Sequence, residues 1–150
     1  MKTITDTVTD IDILARTIYG EARGCLRQRD GGLAALIAVA NVVMNRVVQQ
    51  TWYGKSIREV CLKPYQFSCW NENDANRPVI LNVAKGRDKV FDVCYEVAEN
   101  VIAGRWPDLT QGSDHYYAVW IPKSPVWSIG HVPVAKIGVH VFFRLTNTRR

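Results

Sequence analysis

The sequence predicts an α+β fold that is mainly helical, with a small extended or β region towards the C-terminus. In residues 11–103, apolar side chains recur at spacings of three and four, which is the period of amphipathic helices. Residues 115–144 contain short β-branched and aromatic runs separated by proline and glycine, a pattern that favours strands or extended loops. The helices therefore come first and the extended region last.

The first predicted helix covers residues 11–23 and carries one acidic residue in its last turn. Asp10 is the expected N-cap, because its side chain can accept from a free backbone N–H of the first turn. Gly24 is the expected stop, since glycine readily adopts the left-handed conformation that ends helices. This assignment puts Glu21 at the C-terminal end of the helix.

The second predicted helix, residues 33–48, is apolar on most sides and is expected to lie at the centre of the core. Asn41, Asn45 and Arg46 interrupt its apolar run, so stable membrane insertion is not expected.

Two further helices and four irregular or extended segments complete the prediction. The helices are expected at residues 56–61 and 87–103, the latter ending at Gly104. Residues 64–78 are rich in asparagine and proline and are expected to form a long loop. Short strands or extended loops are expected at residues 115–120, 126–129 and 136–144.

The length and composition are those of one globular domain spanning residues 1–150, with no interdomain linker or second domain expected. Hydrophobic residues make up 47% and charged residues 22%, which excludes an intrinsically disordered chain. The first 12 residues contain no apolar run, so no signal peptide is expected. A monomer is expected.

The charge and the cysteines constrain the partners and the compartment. A formal net charge of +5 predicts attraction to an anionic partner that weakens as salt rises. The basic residues are scattered, without the stripe or motif of a nucleic-acid-binding domain, so no nucleic-acid partner is expected. The four cysteines are expected to be free and buried, with two disulfides as the alternative.

Glu21 is the candidate catalytic residue. A carboxylic acid that protonates a leaving oxygen near neutral pH needs a raised pKa, and the apolar helix around Glu21 would raise it. The alternative is a solvated or salt-bridged glutamate at a helix end.

Aromatic and amide residues in two regions suggest a sugar-binding groove, because sugar rings stack on aromatic faces while their hydroxyls pair with amides. The alternative is that most of these aromatic residues fill the core. The candidate groove residues are Gln66, Phe67, Trp70, Tyr116, Tyr117 and Trp127.

Four motifs, in order along residues 11–144, resemble the spore-cortex-lytic type of cell-wall hydrolase. They are Leu14 to Gly24 (LARTIYGEARG) with Ala38 to Val47 (AVANVVMNRV), then Gln66 to Trp70 (QFSCW) with Asn71 and Asp74, then His115-Tyr116-Tyr117 with Pro125 and Trp127, and finally Ile137 to Arg144 (IGVHVFFR).

The resemblance implies a lysozyme-like fold and cleavage of the bond between N-acetylmuramic acid and N-acetylglucosamine in peptidoglycan. The family's catalytic glutamate falls on Glu21, and no cofactor is implied. A bare, basic catalytic domain is similar to bacteriophage endolysins, so we expect a protein that stays in the host cytoplasm until a separate membrane lesion releases it to the wall.

The favoured mechanism is that of a lytic transglycosylase, which forms a 1,6-anhydro product and needs only one carboxylate. A hydrolytic muramidase is the alternative, and it ordinarily needs a second carboxylate. The candidates for that group are Asp74 and Asp114, although a turn role is the simpler interpretation of both. A non-catalytic wall-binding module is a further alternative.

The histidines are not assigned to the chemistry. His140, between apolar residues of the last strand, is expected to be buried and hydrogen-bonded. The spacing of His115, His131 and His140 does not match a metal-site motif, so no metal site is predicted.

Overall fold

The computed structural model describes the backbone of residues 4–146 and the side chains of residues 9–146. The helices are α1 (Ile4–Ala22), α2 (Leu33–Gln49), α3 (Ile57–Leu62), α4 (Asn76–Asn82) and α5 (Lys89–Ile102), and the strands are β1 (His115–Ala118), β2 (Ala135–Ile137) and β3 (His140–Phe143). Single 3₁₀ turns lie at Arg23–Leu26, Gln28–Asp30, Ser68–Trp70 and Val126–Ser128. The predicted order of helices followed by a small β region is confirmed.

Helix α2 lies at the centre of the core, as its apolar sequence predicts. Leu36, Val39 and Val43 are fully buried, and α1, α3 and α5 all pack on this helix. The stretch Gln28–Gln49 is long and apolar enough to cross a membrane by composition, but most of it is buried inside the protein. Its packing is that of a core helix.

Helix α1 begins earlier than predicted, and the assignment of Asp10 as its N-cap is wrong. Asp10 lies inside the helix, which starts at Ile4, and its side chain is buried. The physical reason is visible in the sequence, because Ile4 and Val8 continue the apolar spacing of four and three that leads to Ile11. The helix ends at Ala22, so Glu21 does lie in its last turn.

The expected long loop at residues 64–78 is instead broken by a 3₁₀ turn and by the start of α4. Asp74 lies two residues before α4, and its Oδ1 accepts from the backbone N–H of Asn76, the first residue of the helix, at 2.8 Å. Pro78 lies in the first turn of α4, where its missing N–H removes no helical hydrogen bond. Proline therefore marked a helix start here and not a loop.

The three strands form an antiparallel sheet in the order β1-β3-β2. The register places Tyr116 opposite Phe142, and Ala135 opposite Phe142 on the other side of β3. Residues 126–129 were expected to be a short strand or extended loop, but Val126–Ser128 form a 3₁₀ turn in which Trp127 packs on Phe143 of the sheet.

The turn between β2 and β3 is fixed against the start of α2. Gly138 has a φ of 58°, and a side chain there would collide with the backbone carbonyl of Asp30. Glycine is required at this position by both conformation and contact. The close approach anchors the sheet to the helical part of the protein.

Candidate active site

Glu21 meets the sheet through a single tyrosine. Its side chain is half-buried at the end of α1, and the Tyr116 hydroxyl on β1 donates a 2.6 Å hydrogen bond to its Oε1. A bond of this length to a carboxylate is a strong, charge-assisted one. The helical and sheet regions of the fold thus converge on the candidate acid.

The surroundings of Glu21 shift its pKa upwards. Burial is the largest cause, and the negative charge of Asp74 adds to it. The hydrogen bond from Tyr116 and contacts with Cys69 act in the opposite direction without cancelling the rise. The pKa of Tyr116 is itself raised, first by burial and then by the Glu21 carboxylate, so the tyrosine remains a proton donor in this pair.

Gly20 lets the 3₁₀ turn Ser68–Trp70 pack close to Glu21. A Cβ atom at Gly20 would lie 2.7 Å from both Cβ and Sγ of Cys69 and 3.0 Å from Cγ2 of Ile80. Real Cβ atoms do not approach this closely, so only glycine fits beneath Cys69. Cys69 is buried and has a raised pKa, chiefly through burial, so it remains a neutral thiol beside the carboxylate.

A pocket of about 500 Å³ is formed by the polar segment that follows Cys69. It is lined by Leu62, Pro64, Tyr65, Trp70, Asn71, Glu72, Asn73 and Asp74. Arg23, two residues after Glu21, ties this segment to α1 by donating from Nη2 to Oδ1 of Asn76 at 2.6 Å. Glu21 does not line the pocket itself, but Asp74 belongs to it and is close enough to affect the Glu21 pKa.

A second pocket, of about 360 Å³, shares Pro64 and Tyr65 with the first. Its other lining residues are Arg46, Trp52, Tyr53, Lys63, Gln66, His115 and Trp127. Because the two pockets meet at Pro64 and Tyr65, they form neighbouring depressions on one side of the protein. Asparagines line the first pocket, and aromatic and basic side chains line the second.

Arg46 and Gln66 form a buried network at the base of the second pocket. Arg46 donates from Nη1 to Oε1 of Gln66 and from Nε to the Asp114 carbonyl, both at 2.8 Å. The Gln66 amide nitrogen donates to the carbonyls of Tyr53 and Val60. The polar groups of Gln66 are therefore occupied by protein partners, and its role in this geometry is to fix Arg46.

Asp114 is a structural hub with its carboxylate fully engaged. It is 0% exposed and accepts from His115 Nδ1, Gln49 Nε2 and the backbone N–H groups of Leu145 and Thr146, at 2.9–3.0 Å. Burial alone would raise its pKa, but these hydrogen bonds outweigh burial and hold the pKa well below the usual range. The Asp74 carboxylate accepts from the backbone N–H of Asn76 and is less crowded than that of Asp114.

The sheet separates the two tyrosines predicted for the groove. Tyr116 faces Glu21, His140 and Phe142, whereas Tyr117 stacks on Phe143 with ring centroids 5.6 Å apart. Neighbouring residues of a strand point to opposite faces, which explains the separation. Trp127 lies with Tyr117, so both are on the face opposite Glu21.

The remaining predicted residues differ in what they can offer a ligand. Phe67 is 2% exposed and packs beneath the Arg46 guanidinium, so it supports the pocket from below. Trp70 is half-buried, lines the first pocket and donates from Nε1 to the Thr17 hydroxyl at 2.9 Å. His140 is buried as expected, but its Nδ1 finds no hydrogen-bond partner within residues 4–146.

Sequence reasoning missed the two most exposed aromatic residues of the pockets. Tyr65 is 88% exposed and Trp52 is 68% exposed, and both line the second pocket. Tyr65 stands next to Pro64 in the polar segment, which was a usable signal. Arg46 was also missed, because a basic residue inside an apolar helix only shows its role once its partners on other elements are known.

Neither a disulfide nor a candidate metal site is found in the described part of the chain. All four cysteines are free and buried, as expected. Within residues 4–146, no group of three histidine, cysteine, aspartate or glutamate side chains could hold a metal ion.

A family model described as Cell Wall Hydrolase matches residues 32–143, which is more than half of the chain. This region contains Tyr116, Cys69, Asp74 and both pockets, whereas Glu21 lies before its first residue. A search of curated proteins finds no match.

Two solved structures share the fold. The catalytic domain of the Bacillus cereus SleB protein is 22% identical, with a TM-score of 0.66 and 91% of each chain covered. The catalytic domain of the germination-specific lytic transglycosylase SleB from Bacillus anthracis is 23% identical, with a TM-score of 0.65, covering 90% of this chain and 93% of that one. These likenesses confirm the predicted lysozyme-like α+β fold.

Proposed function

Since the chain belongs to the family of cell wall hydrolases, we propose that it cleaves the glycosidic bond between N-acetylmuramic acid and N-acetylglucosamine in peptidoglycan, with Glu21 as the acid and base. The observation that carries the proposal is the Glu21–Tyr116 pair, which joins a carboxyl group of raised pKa to a 2.6 Å hydroxyl donor. A protonated carboxyl group at this position is ready to donate to a leaving oxygen.

In the first step, Glu21 gives its proton to the glycosidic oxygen as the bond to the anomeric carbon of muramic acid breaks. The N-acetylglucosamine part leaves as an alcohol, and positive charge develops on the muramic acid ring. The carboxylate now present on Glu21 stabilises this charge and is itself stabilised by the Tyr116 hydroxyl.

In the second step, the same carboxylate removes the proton from the C6 hydroxyl of the muramic acid. The C6 oxygen then bonds to the anomeric carbon, which closes a 1,6-anhydro ring and returns Glu21 to its protonated form. No water is consumed, so the reaction is that of a lytic transglycosylase. One carboxylate suffices for both steps.

The environment of the second acidic candidates supports this choice over hydrolysis. Asp114 is engaged by four protein donors and has no free oxygen position to orient a water molecule. Asp74 lines the first pocket, and its negative charge contributes to the raised pKa of Glu21. Asp74 is therefore the residue to test if reducing ends are found among the products.

The pocket beside Glu21 has the composition of a glycan groove. Trp70 and Tyr65 offer aromatic rings, and Asn71 and Asn73 offer amides that pair with hydroxyl and acetamido groups. We place the glycan strand along this pocket and its neighbour, where Trp127 contacts sugars further from the bond that is cut. Tyr117 lines neither pocket and packs against Trp127, with ring centroids 5.9 Å apart.

The decisive experiment is digestion of purified peptidoglycan by the wild-type protein and by Glu21→Gln, with mass spectrometry of the released muropeptides. We expect anhydro-muramic acid ends from the wild type and a loss of rate of about 10²–10⁴-fold in the variant. Glu96→Gln, which changes an exposed glutamate on α5, is the matched control and should keep the wild-type rate.

Each other outcome has a defined meaning. Reducing ends would replace the transglycosylase by a muramidase, and Asp74→Asn should then abolish them. Full activity in Glu21→Gln would remove this residue from the mechanism, and cleavage at amide bonds would overturn the substrate. Binding to peptidoglycan without any release of fragments would identify a wall-binding module.

We further propose that the protein acts as a bacteriophage endolysin that waits in the host cytoplasm. Two observations support this setting: all four cysteines are free, as in reducing compartments, and the net charge of +5 suits an anionic wall. Bacteria expressing the protein should stay intact until their membrane is permeabilised and then lyse, whereas cells with Glu21→Gln should not. Lysis without permeabilisation would contradict the proposal.

A further inference from the structure

The net charge of the protein resides entirely in its last 36 residues. Every one of the 14 acidic residues lies at or before Asp114, and five of the 19 basic residues follow it. Residues 1–114 are therefore neutral, with 14 charges of each sign, and residues 115–150 carry the whole of +5. The sequence contains no acidic residue after Asp114.

The same part of the chain exposes a concentrated set of apolar side chains. Residues 119–134, which connect β1 to β2 and are called here the apolar loop, contain six of the 13 exposed large hydrophobic residues found among residues 9–146. They are Val119 (48%), Trp120 (65%), Val126 (83%), Ile129 (70%), Val132 (83%) and Val134 (40%).

The apolar loop is held in a defined conformation that presents these side chains outwards. In the 3₁₀ turn, Trp127 packs on Phe143 with centroids 5.2 Å apart, and the Ser128 hydroxyl donates to the Pro125 carbonyl at 2.6 Å. Val126 and Ile129, on either side of these two residues, stay in solvent. Both are large apolar side chains that the protein leaves uncovered at the two ends of the turn.

We propose that the apolar loop is a membrane-contact surface that binds bilayers containing anionic phospholipids. Aliphatic side chains and an exposed tryptophan are the groups that enter the boundary between headgroups and acyl chains. Lys123 lies within the loop and Lys136 follows it by two residues, and both are exposed, so they are available to anionic headgroups. The contact is peripheral, it goes beyond glycan cleavage, and it does not use Glu21.

The chemistry of the apolar loop favours a bilayer over the other occupants of such a surface. A glycan strand stacks on flat aromatic rings and needs hydrogen-bond partners, and it gains little from Val126, Ile129 or Val132. A second copy of the chain would bring two positively charged regions together, which repel each other. Apolar side chains with basic neighbours match the two components of an anionic lipid surface.

The test is co-sedimentation of the full chain with vesicles of phosphatidylcholine alone and of phosphatidylcholine with phosphatidylglycerol. We expect binding to the anionic vesicles that is at least tenfold stronger than to the neutral ones and that weakens as salt rises. Brominated lipid should quench tryptophan fluorescence in the wild type and quench it less in Trp120→Phe. The assay contains no peptidoglycan, so its result is independent of the proposed enzymatic function.

Matched variants distinguish vesicle binding through the apolar loop from non-specific adsorption of the protein. Val126→Ser with Ile129→Ser, and Lys123→Gln with Lys136→Gln, should each lower vesicle binding about tenfold while circular dichroism stays unchanged. Val48→Ser on α2, which is 58% exposed, and Lys89→Gln on α5 should leave binding as it was.

Three results would overturn the proposal. These are the absence of binding to either vesicle, equal loss in the loop and control variants, or a dimer in sedimentation velocity that the serine pair dissociates. The last result would assign the apolar loop to a second copy of the chain.

Discussion

The Tyr116 hydroxyl donates a 2.6 Å hydrogen bond to Glu21, which lies 95 residues earlier in the sequence. This bond joins the helical region to the sheet. The bond favours the charged carboxylate, while burial favours the neutral acid. The balance between these two effects sets the pKa of Glu21. Substitution of either Tyr116 or Glu21 should therefore have a measurable effect.

Replacing Tyr116 by phenylalanine should raise the pKa of Glu21 further. The hydrogen bond lowers this pKa in the wild type, so its loss moves the alkaline limb of the pH–rate profile to higher pH. The maximal rate should fall about tenfold to a hundredfold, the effect of one hydrogen bond to a charged group. Tyr95→Phe, on α5, should leave both the profile and the rate unchanged. A shift of the limb to lower pH would contradict the assignment.

Glu21→Gln should make the protein more stable at neutral pH although it removes activity. A carboxyl group whose folded-state pKa is raised costs stability once it ionises, so the cost is absent below the unfolded value of about 4.3 and grows as pH rises through the folded pKa. The Tm of the variant should exceed that of the wild type at about pH 8, and the two should converge near pH 4. Calorimetry at both pH values checks this, and an equal gap at both would refute it.

Gly20→Ala should destabilise the protein, against the usual gain from alanine in a helix. The new Cβ would lie 2.7 Å from Cys69, so the turn beside Glu21 must move, at a cost of about 1–3 kcal/mol. Gly24→Ala is the matched control, because no atom lies within 4 Å of its Cβ position. Urea unfolding measures both free energies, and adding Cys69→Gly to Gly20→Ala should recover part of the loss. No recovery would show that the strain lies elsewhere.

Asp114→Asn should cost about 2–4 kcal/mol of unfolding free energy at pH 7, because an amide cannot accept all the donors that surround the carboxylate. The folded-state pKa of Asp114 lies below the unfolded value of about 3.9, so its stabilisation is present above pH 4 and is lost as pH falls through the folded pKa. The acid-induced loss of stability expected for the wild type should be smaller in the variant.

Asp92→Asn is the control for this change, since its carboxylate accepts the backbone N–H of Gly86 in an exposed setting. It should cost less than about 1 kcal/mol. Equal costs for the two variants would show that Asp114 is not a hub.

The order of helices and strands was predictable because it rests on local periodicity, and the central position of α2 follows from its apolar faces. The start of α1 and the helix at Asn76 were not predicted, because a cap or a proline has more than one structural meaning. The separation of Tyr116 from Tyr117 follows from strand alternation alone and was within reach of the sequence.

Parts of the site depend on contacts between distant segments, and no local pattern records them. The clash that requires glycine at Gly20 arises from Cys69, and the role of Arg46 depends on Gln66 and Asp114. The pairing of Glu21 with Tyr116 in particular required the fold.

Because β3 is the central strand of the sheet, β1 cannot form its described pairing until the end of the chain has been synthesised. Strand β1 carries Tyr116, but its described pairing is with β3, which ends at Phe143, long after Glu21 has left the ribosome. A nascent chain can therefore fold its helices around Glu21 while its proton-donating partner still lacks a neighbour to hold it. Under the proposed mechanism, we expect the ability to cut glycan only once the last strand has formed, so chains stalled or shortened before it should be folded in part and inactive.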